Sequence, residues 1–205
     1  MRDNIVRLVM KVGALALGVA LAGGAAAQQV TLDDFSDPAT GWTIIDEPEM
    51  QAGYVDGGYQ ISATRRVGVI YATSDFVLGD GVITVEALDL PDSAFHYKGI
   101  FLRSSNRGNL FGFMIAPDGT TLSFRYQAGD LFQYESVNLD PALYRHGEPN
   151  VLRVEAEGRR LAFSVNGELL AEVNNATAIG FAGLVISPGD ELSGTIFDNW
   201  RVEQP

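Results

Sequence analysis

Val151-Leu152-Arg153-Val154-Glu155-Ala156-Glu157-Gly158-Arg159-Arg160-Leu161-Ala162-Phe163-Ser164-Val165-Asn166-Gly167 is the stretch that decides the fold class. Leu152, Val154 and Ala156 point one way and Arg153, Glu155 and Glu157 the other, which is the period-two pattern of a half-buried strand. Gly158-Arg159 reads as a tight turn, after which Leu161, Phe163 and Val165 face inward on a returning strand. Asn166-Gly167 is the strongest short hairpin signal, because a two-residue type I′ turn needs positive φ at both positions and these residues tolerate it. Glu168 to Val173 follows as a third strand.

The same grammar recurs along the chain. Asp56-Gly57-Gly58 joins strands 51–55 and 59–64; Pro117-Asp118-Gly119 joins 110–116 and 120–127; Gly129-Asp130 leads into 131–137. Further strands are expected at 30–35, 67–71, 82–88, 99–104, 182–186 and 195–202. No segment has sustained helical periodicity, and turn signals return about every 8–12 residues. Roughly a dozen strands or more are too many for one open sheet. The expected architecture is therefore all-β, a two-sheet antiparallel β-sandwich with no linker, repeat or low-complexity segment.

The amino terminus carries a different message. Arg2, Arg7 and Lys11 precede an apolar run from Val12 to Ala22 and the small residues Ala25-Ala26-Ala27. That order is a secretory signal peptide with an A-x-A cleavage site. The run is shorter than the ~20 residues of a membrane-spanning helix and is diluted by glycine. Residues 1–27 are thus expected to be a signal peptide and residues 28–205 a single β-sandwich domain, secreted or periplasmic, with no membrane anchor after processing. The lipobox-like Leu21-Ala22-Gly23-Gly24 lacks the cysteine that lipidation needs.

The formal net charge is −12. Loss of the leader makes the chain more acidic still, since three bases leave with one acid, Asp3. A polyanion is a poor partner for nucleic acid or an anionic membrane, whereas neutral glycans and divalent cations remain compatible. With no cysteine, thiol catalysis, zinc-thiolate binding and disulfide chemistry are excluded. The N-x-T sequon at Asn175 is read as fortuitous beside a leader of bacterial type.

Several motifs together resemble a known family. They are Asp33-Asp34-Phe35-Ser36-Asp37 with Gly41-Trp42; Asp56-Gly57-Gly58-Tyr59-Gln60-Ile61; Gly99-Ile100-Phe101-Leu102-Arg103; Phe113-Met114-Ile115-Ala116-Pro117-Asp118-Gly119; Asn150-Val151-Leu152-Arg153-Val154; Phe163-Ser164-Val165-Asn166-Gly167; and Phe197-Asp198-Asn199-Trp200-Arg201-Val202. The chain resembles the concanavalin A-like lectin/glucanase jelly roll across about residues 30–203, nearest to bacterial domains grouped with 3-keto-disaccharide hydrolases. The resemblance implies first and last strands side by side, which would let Asp34 and Asp198 approach. Glucanases of this fold use a comparable C-terminal Asp to help hold structural calcium. Asp34 and Asp198 are accordingly candidate calcium ligands, the alternative being that Asp198 caps a turn or accepts backbone N–H groups. No other cofactor is implied.

No catalytic set emerges. Retaining glucanases of the fold carry acids at alternate positions of one strand, but Glu86 and Asp89 are three apart and point to opposite faces. Glu155 and Glu157 share only the polar face of an amphipathic strand. His96 and His146 stand alone, Val185 replaces the first glycine of a nucleophile elbow at Ser187, and no HExxH, P-loop or dinucleotide motif occurs. For a ligand, Tyr97, Phe101 and Arg103 share strand parity, and Arg125 sits on a second strand with Thr121 and Ser123. A guanidinium hydrogen-bonds sugar hydroxyls and aromatic rings cover a pyranose face, so Tyr97, Phe101, Arg103 and Arg125 are the candidate sugar-binding residues. The alternative sets both arginines on a solvated convex face, paired with acids. Tyr54, Tyr71, Phe111, Phe132 and Tyr134 are expected in the core.

These readings favour a non-catalytic glycan-binding or cell-surface module, with a hydrolase of (3-keto-)disaccharides and a structural periplasmic protein as alternatives. The leader makes a direct prediction. Amino-terminal sequencing of the exported protein should begin at or close to Gln28, and recovery of full-length chain from membranes would contradict it.

Overall fold

The computed structural model describes residues 29–74, 76–106, 109–128, 130–174 and 176–205. The expected signal peptide lies outside the described residues, as do Gly129 and Asn175. The described residues form sixteen strands: β1 (Gln29–Asp33), β2 (Ile45–Glu47), β3 (Met50–Val55), β4 (Gly58–Ala63), β5 (Ile70–Ala72), β6 (Val77–Leu78), β7 (Gly81–Asp89), β8 (Tyr97–Asn106), β9 (Asn109–Ile115), β10 (Thr121–Gln127), β11 (Asp130–Tyr134), β12 (Asn150–Glu157), β13 (Arg160–Val165), β14 (Glu168–Asn174), β15 (Gly180–Ser187) and β16 (Ser193–Gln204).

They pair antiparallel into two sheets. The nine-stranded sheet runs β14-β13-β12-β7-β16-β4-β3-β2, with β1 also on β16; the seven-stranded sheet runs β11-β10-β9-β8-β15-β5, with β6 also on β15. The first and last strands do lie together, Asp33 opposite Trp200. The hairpin read from Asn166-Gly167 is present, with φ of 51° and 93° and Val165 opposite Glu168.

Strand parity builds the core. Ile83, Val85 and Ala87 of β7, Leu152, Val154 and Ala156 of β12, and Leu161, Phe163 and Val165 of β13 face Ile100, Leu102, Phe113, Ile115, Leu184 and Ile186 of the other sheet. Phe113 and Phe163 stack between the sheets at 5.3 Å. Each such aliphatic or aromatic side chain contributes about 1.5–3 kcal/mol relative to exposure. One margin is closed by an aromatic group in which Trp42 touches Phe35, Tyr59 and Trp200 at 5.2, 5.5 and 5.2 Å. Asp33 fixes it, accepting from the Phe35 N–H at 2.8 Å and the Trp42 indole N–H at 2.9 Å.

Sequence and structure differ at four places. The strand expected at 67–71 starts only at Ile70. The short strands β2 and β6 were not anticipated. The run 131–137 is not one strand: β11 ends at Tyr134, and Ser136 then bridges Ala171 of the opposite sheet. Crossing between layers forces the break, because one extended segment cannot stay in register with both.

Candidate functional site

Residues paired directly across antiparallel strands share a face, so the registers show where each side chain points. Leu102, Phe111 and Arg125 form one such row, and Leu102 belongs to the core between the sheets. Gly183, Phe101, Gly112 and Phe124 form a row on the other, outward face. Tyr71, Val185, Gly99, Met114 and Leu122 form the neighbouring outward row, and Ser187 with Tyr97 the next.

This outer face is apolar in its own right. Phe101, Leu110, Met114, Phe124 and Val185 make a second hydrophobic cluster, flanked by half-buried Tyr71, Tyr97, Leu122 and Tyr126. Glycine creates its floor. A Cβ at Gly112 would stand 2.3 Å from the Phe124 ring, and one at Gly183 would stand 2.7 Å from the Phe101 ring. Both phenylalanines therefore lie against bare backbone. Tyr71 meets Phe101 edge-on at 5.5 Å.

The tyrosines supply the polar component. Burial pushes the Tyr71 phenol up to about 12, and the Tyr126 phenol adds to this. Burial also raises the Tyr97 pKa, with help from the Asp118 carboxylate. The hydroxyls of Tyr71, Tyr97 and Tyr126 make no hydrogen bond to another described residue. At the Tyr97 end the face opens into a pocket of about 280 Å³ lined by Arg66, Phe95, His96, Tyr97, Ser187 and Pro188 among others. Phe95 packs edge-on against Tyr97 at 5.5 Å, and Arg66 is held at 3.1 Å by Asp190.

The sequence-derived quartet is not brought together. Tyr97 and Phe101 share the outer face as expected. Arg125 is on the inward face, over the Phe111 ring at 5.3 Å. Arg103 leaves the strand parity altogether, because β8 bulges after Leu102 and Arg103 takes φ +53°. It is 1% exposed, and its guanidinium donates to the carbonyls of Gly158 and Thr177 at 2.7 Å and Gly79 at 3.3 Å. This is a clamp joining three loops rather than a ligand-facing group. Tyr71 belongs to the outer cluster rather than the core, and Phe132 is half exposed.

Asp34 accepts from the Ser36 N–H at 3.0 Å, and Asp198 from the Asn199 N–H at 2.7 Å. These are the local backbone bonds of the alternative to calcium. Among the described residues no three His, Cys, Asp or Glu side chains form a group that could hold a metal ion.

A second feature lies beneath the pocket. Lys98 is fully buried, on the inward parity of β8, and donates to the two oxygens of Asp89 at 2.6 and 2.8 Å and to the Tyr144 hydroxyl. Tyr144 donates to Asp89 at 2.6 Å, and His96 Nε2 lies 3.3 Å from the same carboxylate and 2.8 Å from the Thr195 hydroxyl. Burial alone would raise the Asp89 pKa. The His96 bond, the Lys98 charge and the bonds from Lys98 and Tyr144 outweigh it and hold the carboxyl well below the usual range. The sequence does carry a signal for this group: Lys98 alternates with Ile100 and Leu102, and Asp89 with Val85 and Ala87, so both charges sit on core parity and require each other.

Comparison with known proteins bears on the fold. The carbohydrate-binding module CBM66 from Bacillus subtilis superposes with a TM-score of 0.63 at 15% identity, covering 78% of this chain and 94% of its own. The catalytic domain of an endo-1,3-β-glucanase (laminarinase) from Thermotoga petrophila gives 0.59 at 11% identity, covering 86% and 98%. A Bacillus subtilis protein of unknown function with a galectin-like fold gives 0.59 at 12% identity, covering 85% and 94%. The fold is a two-sheet antiparallel jelly-roll β-sandwich. No family model matches the chain. No curated protein matches it either.

The buried ion group yields a prediction. The Asp89 pKa is lower folded than unfolded, so its stabilisation is complete above the unfolded value near 4 and is lost as pH falls through the folded one. Asp89→Asn strands the Lys98 charge and should cost about 3–5 kcal/mol at neutral pH, with a flatter acid dependence than the parent. Asp89→Asn combined with Lys98→Met should recover much of the loss. Denaturant unfolding at several pH values measures this, and equal stability of Asp89→Asn and parent at neutral pH would refute it.

Proposed function

We propose that this is an exported, non-catalytic carbohydrate-binding module whose ligand, a neutral glycan, lies across the outer face of the seven-stranded sheet. The observation that carries the reading is an aromatic outer face whose three phenol hydroxyls have no hydrogen-bond partner among the described residues, on strands that hold no acid. Stacked rings cover the apolar face of a pyranose, and hydroxyls at their rim bond its equatorial groups. None of β5, β8, β9, β10 and β15 contains an Asp or Glu, so the alternate-position carboxylates of a retaining glycosidase have no counterpart on this face. The likeness in fold to a carbohydrate-binding module supports the reading, and the leader-like amino terminus supports export.

Hydrolysis of 3-keto-disaccharides is the competing reading, resting on the motif resemblance alone. Calorimetry against soluble β-glucans, xylans and galactans, with parallel incubation in 3-keto-glycosides, separates the two. We expect binding to at least one neutral polymer and no sugar release. Tyr97→Ala and Tyr126→Ala should each weaken binding by about 1 kcal/mol, roughly fivefold. Arg125→Ala, on the opposite face, should leave affinity unchanged. An absence of heat across the panel, or release of free sugar, would overturn the proposal.

A further inference from the structure

Phe95 is a large aromatic residue left in the open by a backbone that is itself tightly held. Its ring is 50% exposed. On one side of it the Ala94 N–H donates to the Leu192 carbonyl at 2.8 Å. On the other, His96 is 1% exposed; its Nδ1 donates to the Ala94 carbonyl at 2.9 Å and its Nε2 meets the Thr195 hydroxyl at 2.8 Å. Gly189 closes against the same segment, where a Cβ would stand 2.4 Å from the Phe95 carbonyl oxygen. The ring is therefore positioned by its neighbours' bonds and not by its own burial. It stands at 87° to the Tyr97 ring, 5.5 Å away.

The two rings make a corner of the pocket of about 280 Å³. Small-ligand sites run to roughly 300–1,000 Å³, so this one suits a single sugar ring. Its polar groups are few and free. Ser187 lies directly across from Tyr97 on the outward row, and neither hydroxyl has a hydrogen-bond partner among the described residues. Arg66 faces Asp190 through Nε at 3.1 Å, and its two terminal nitrogens have no partner among the described residues. A guanidinium beside a carboxylate offers donors and an acceptor on one rim. That suits two adjacent hydroxyls, one accepting from Arg66 and the other donating to Asp190. The pair sums to zero charge and the chain is acidic overall, so the rim favours a neutral sugar over a uronate.

We propose that this pocket is a single-ring subsite, which selects one neutral pyranose by two vicinal hydroxyls at the Arg66–Asp190 rim while Phe95 covers the ring's apolar face. The proposal rests on the glycan reading of the outer face and adds the place where the sugar's identity is read. Phenols and apolar side chains on the strands cover many pyranoses alike. The donor–acceptor rim depends on hydroxyl configuration.

Histidine labelling tests this. The chain has two histidines; His96 lines the pocket, and His146 packs against Tyr144 at 4.9 Å, giving one reporter and one reference. NMR titration uses the methyl β-pyranosides of glucose, galactose and xylose, with those of glucuronic and galacturonic acid as charged counterparts. The His96 ring should shift saturably with at least one neutral sugar, while His146 stays still. The matching uronide should bind at least tenfold more weakly. Phe95→Ala and Arg66→Ala alter exposed side chains and should each weaken binding roughly tenfold. Arg66→Lys keeps the charge without the fork and should not restore it. An unmoved His96 across the panel, equal binding of the uronides, or full affinity in Phe95→Ala would overturn the subsite. Calorimetry of the same variants on the polymers separates this from the wider reading. Polymer binding that ignores Phe95→Ala and Arg66→Ala leaves the outer face standing and removes the subsite. Saturable His96 shifts with no polymer binding support the subsite and remove the wider face.

Discussion

The seven-stranded sheet has to satisfy apolar surface on both of its faces. Along β8, Ile100 and Leu102 enter the core while Phe101 leaves it, and along β9 Phe111 and Phe113 enter while Met114 leaves. The inward half of this demand is met by the nine-stranded sheet. Among the described residues the outward half has no third layer and is met within the sheet, by laying Phe101 and Phe124 on bare glycine backbone and flanking them with tyrosine. What remains at the surface is an aromatic face flanked by tyrosines. The proposed function follows from that residual surface more than from any single residue.

Closing the sandwich brings two long cations onto inward positions, and the protein handles them differently. Lys98 is neutralised by Asp89 and further saturated by Tyr144. Arg103 instead exchanges hydration for carbonyls from three loops, with Asp80 more distant at 3.7 Å. The first group holds the segment leading into Phe95 and Tyr97, and hence the wall of the pocket. The second ties together one end of the sandwich. Both are positions where removing one partner costs more than the interaction contributes, because the other is left buried.

Much of the fold was legible because period-two alternation and type I′ turn chemistry are local. Asn166-Gly167 and the Val151–Val165 hairpin are set by a few neighbouring residues, and the structure matches them. The site was legible only in part. Parity placed Tyr97 and Phe101 together, but it fails at a bulge, and the bulge after Leu102 is what removed Arg103 from the face. Parity within one strand also cannot say which face looks outward. Arg125 needed the cross-strand register with Phe111 and Leu102 before its inward direction could be known. Tyr71 and Tyr126, distant in sequence, reach the same outer cluster only through the pairing of their strands. The Lys98–Asp89 pair was the recoverable miss, since charges on core parity in two strands imply each other.

The central claim is that the outer face of the seven-stranded sheet is where a glycan binds. Selective labelling of tyrosine rings, with NMR titration by a neutral oligosaccharide, tests it most directly. Tyr54, Tyr59 and Tyr144 have hydroxyls engaged elsewhere and serve as internal references. The account predicts that the ring resonances of Tyr71, Tyr97 and Tyr126 move together and saturate at one affinity while the references stay still. Saturable shifts confined to other tyrosines, with these three unmoved, would contradict it.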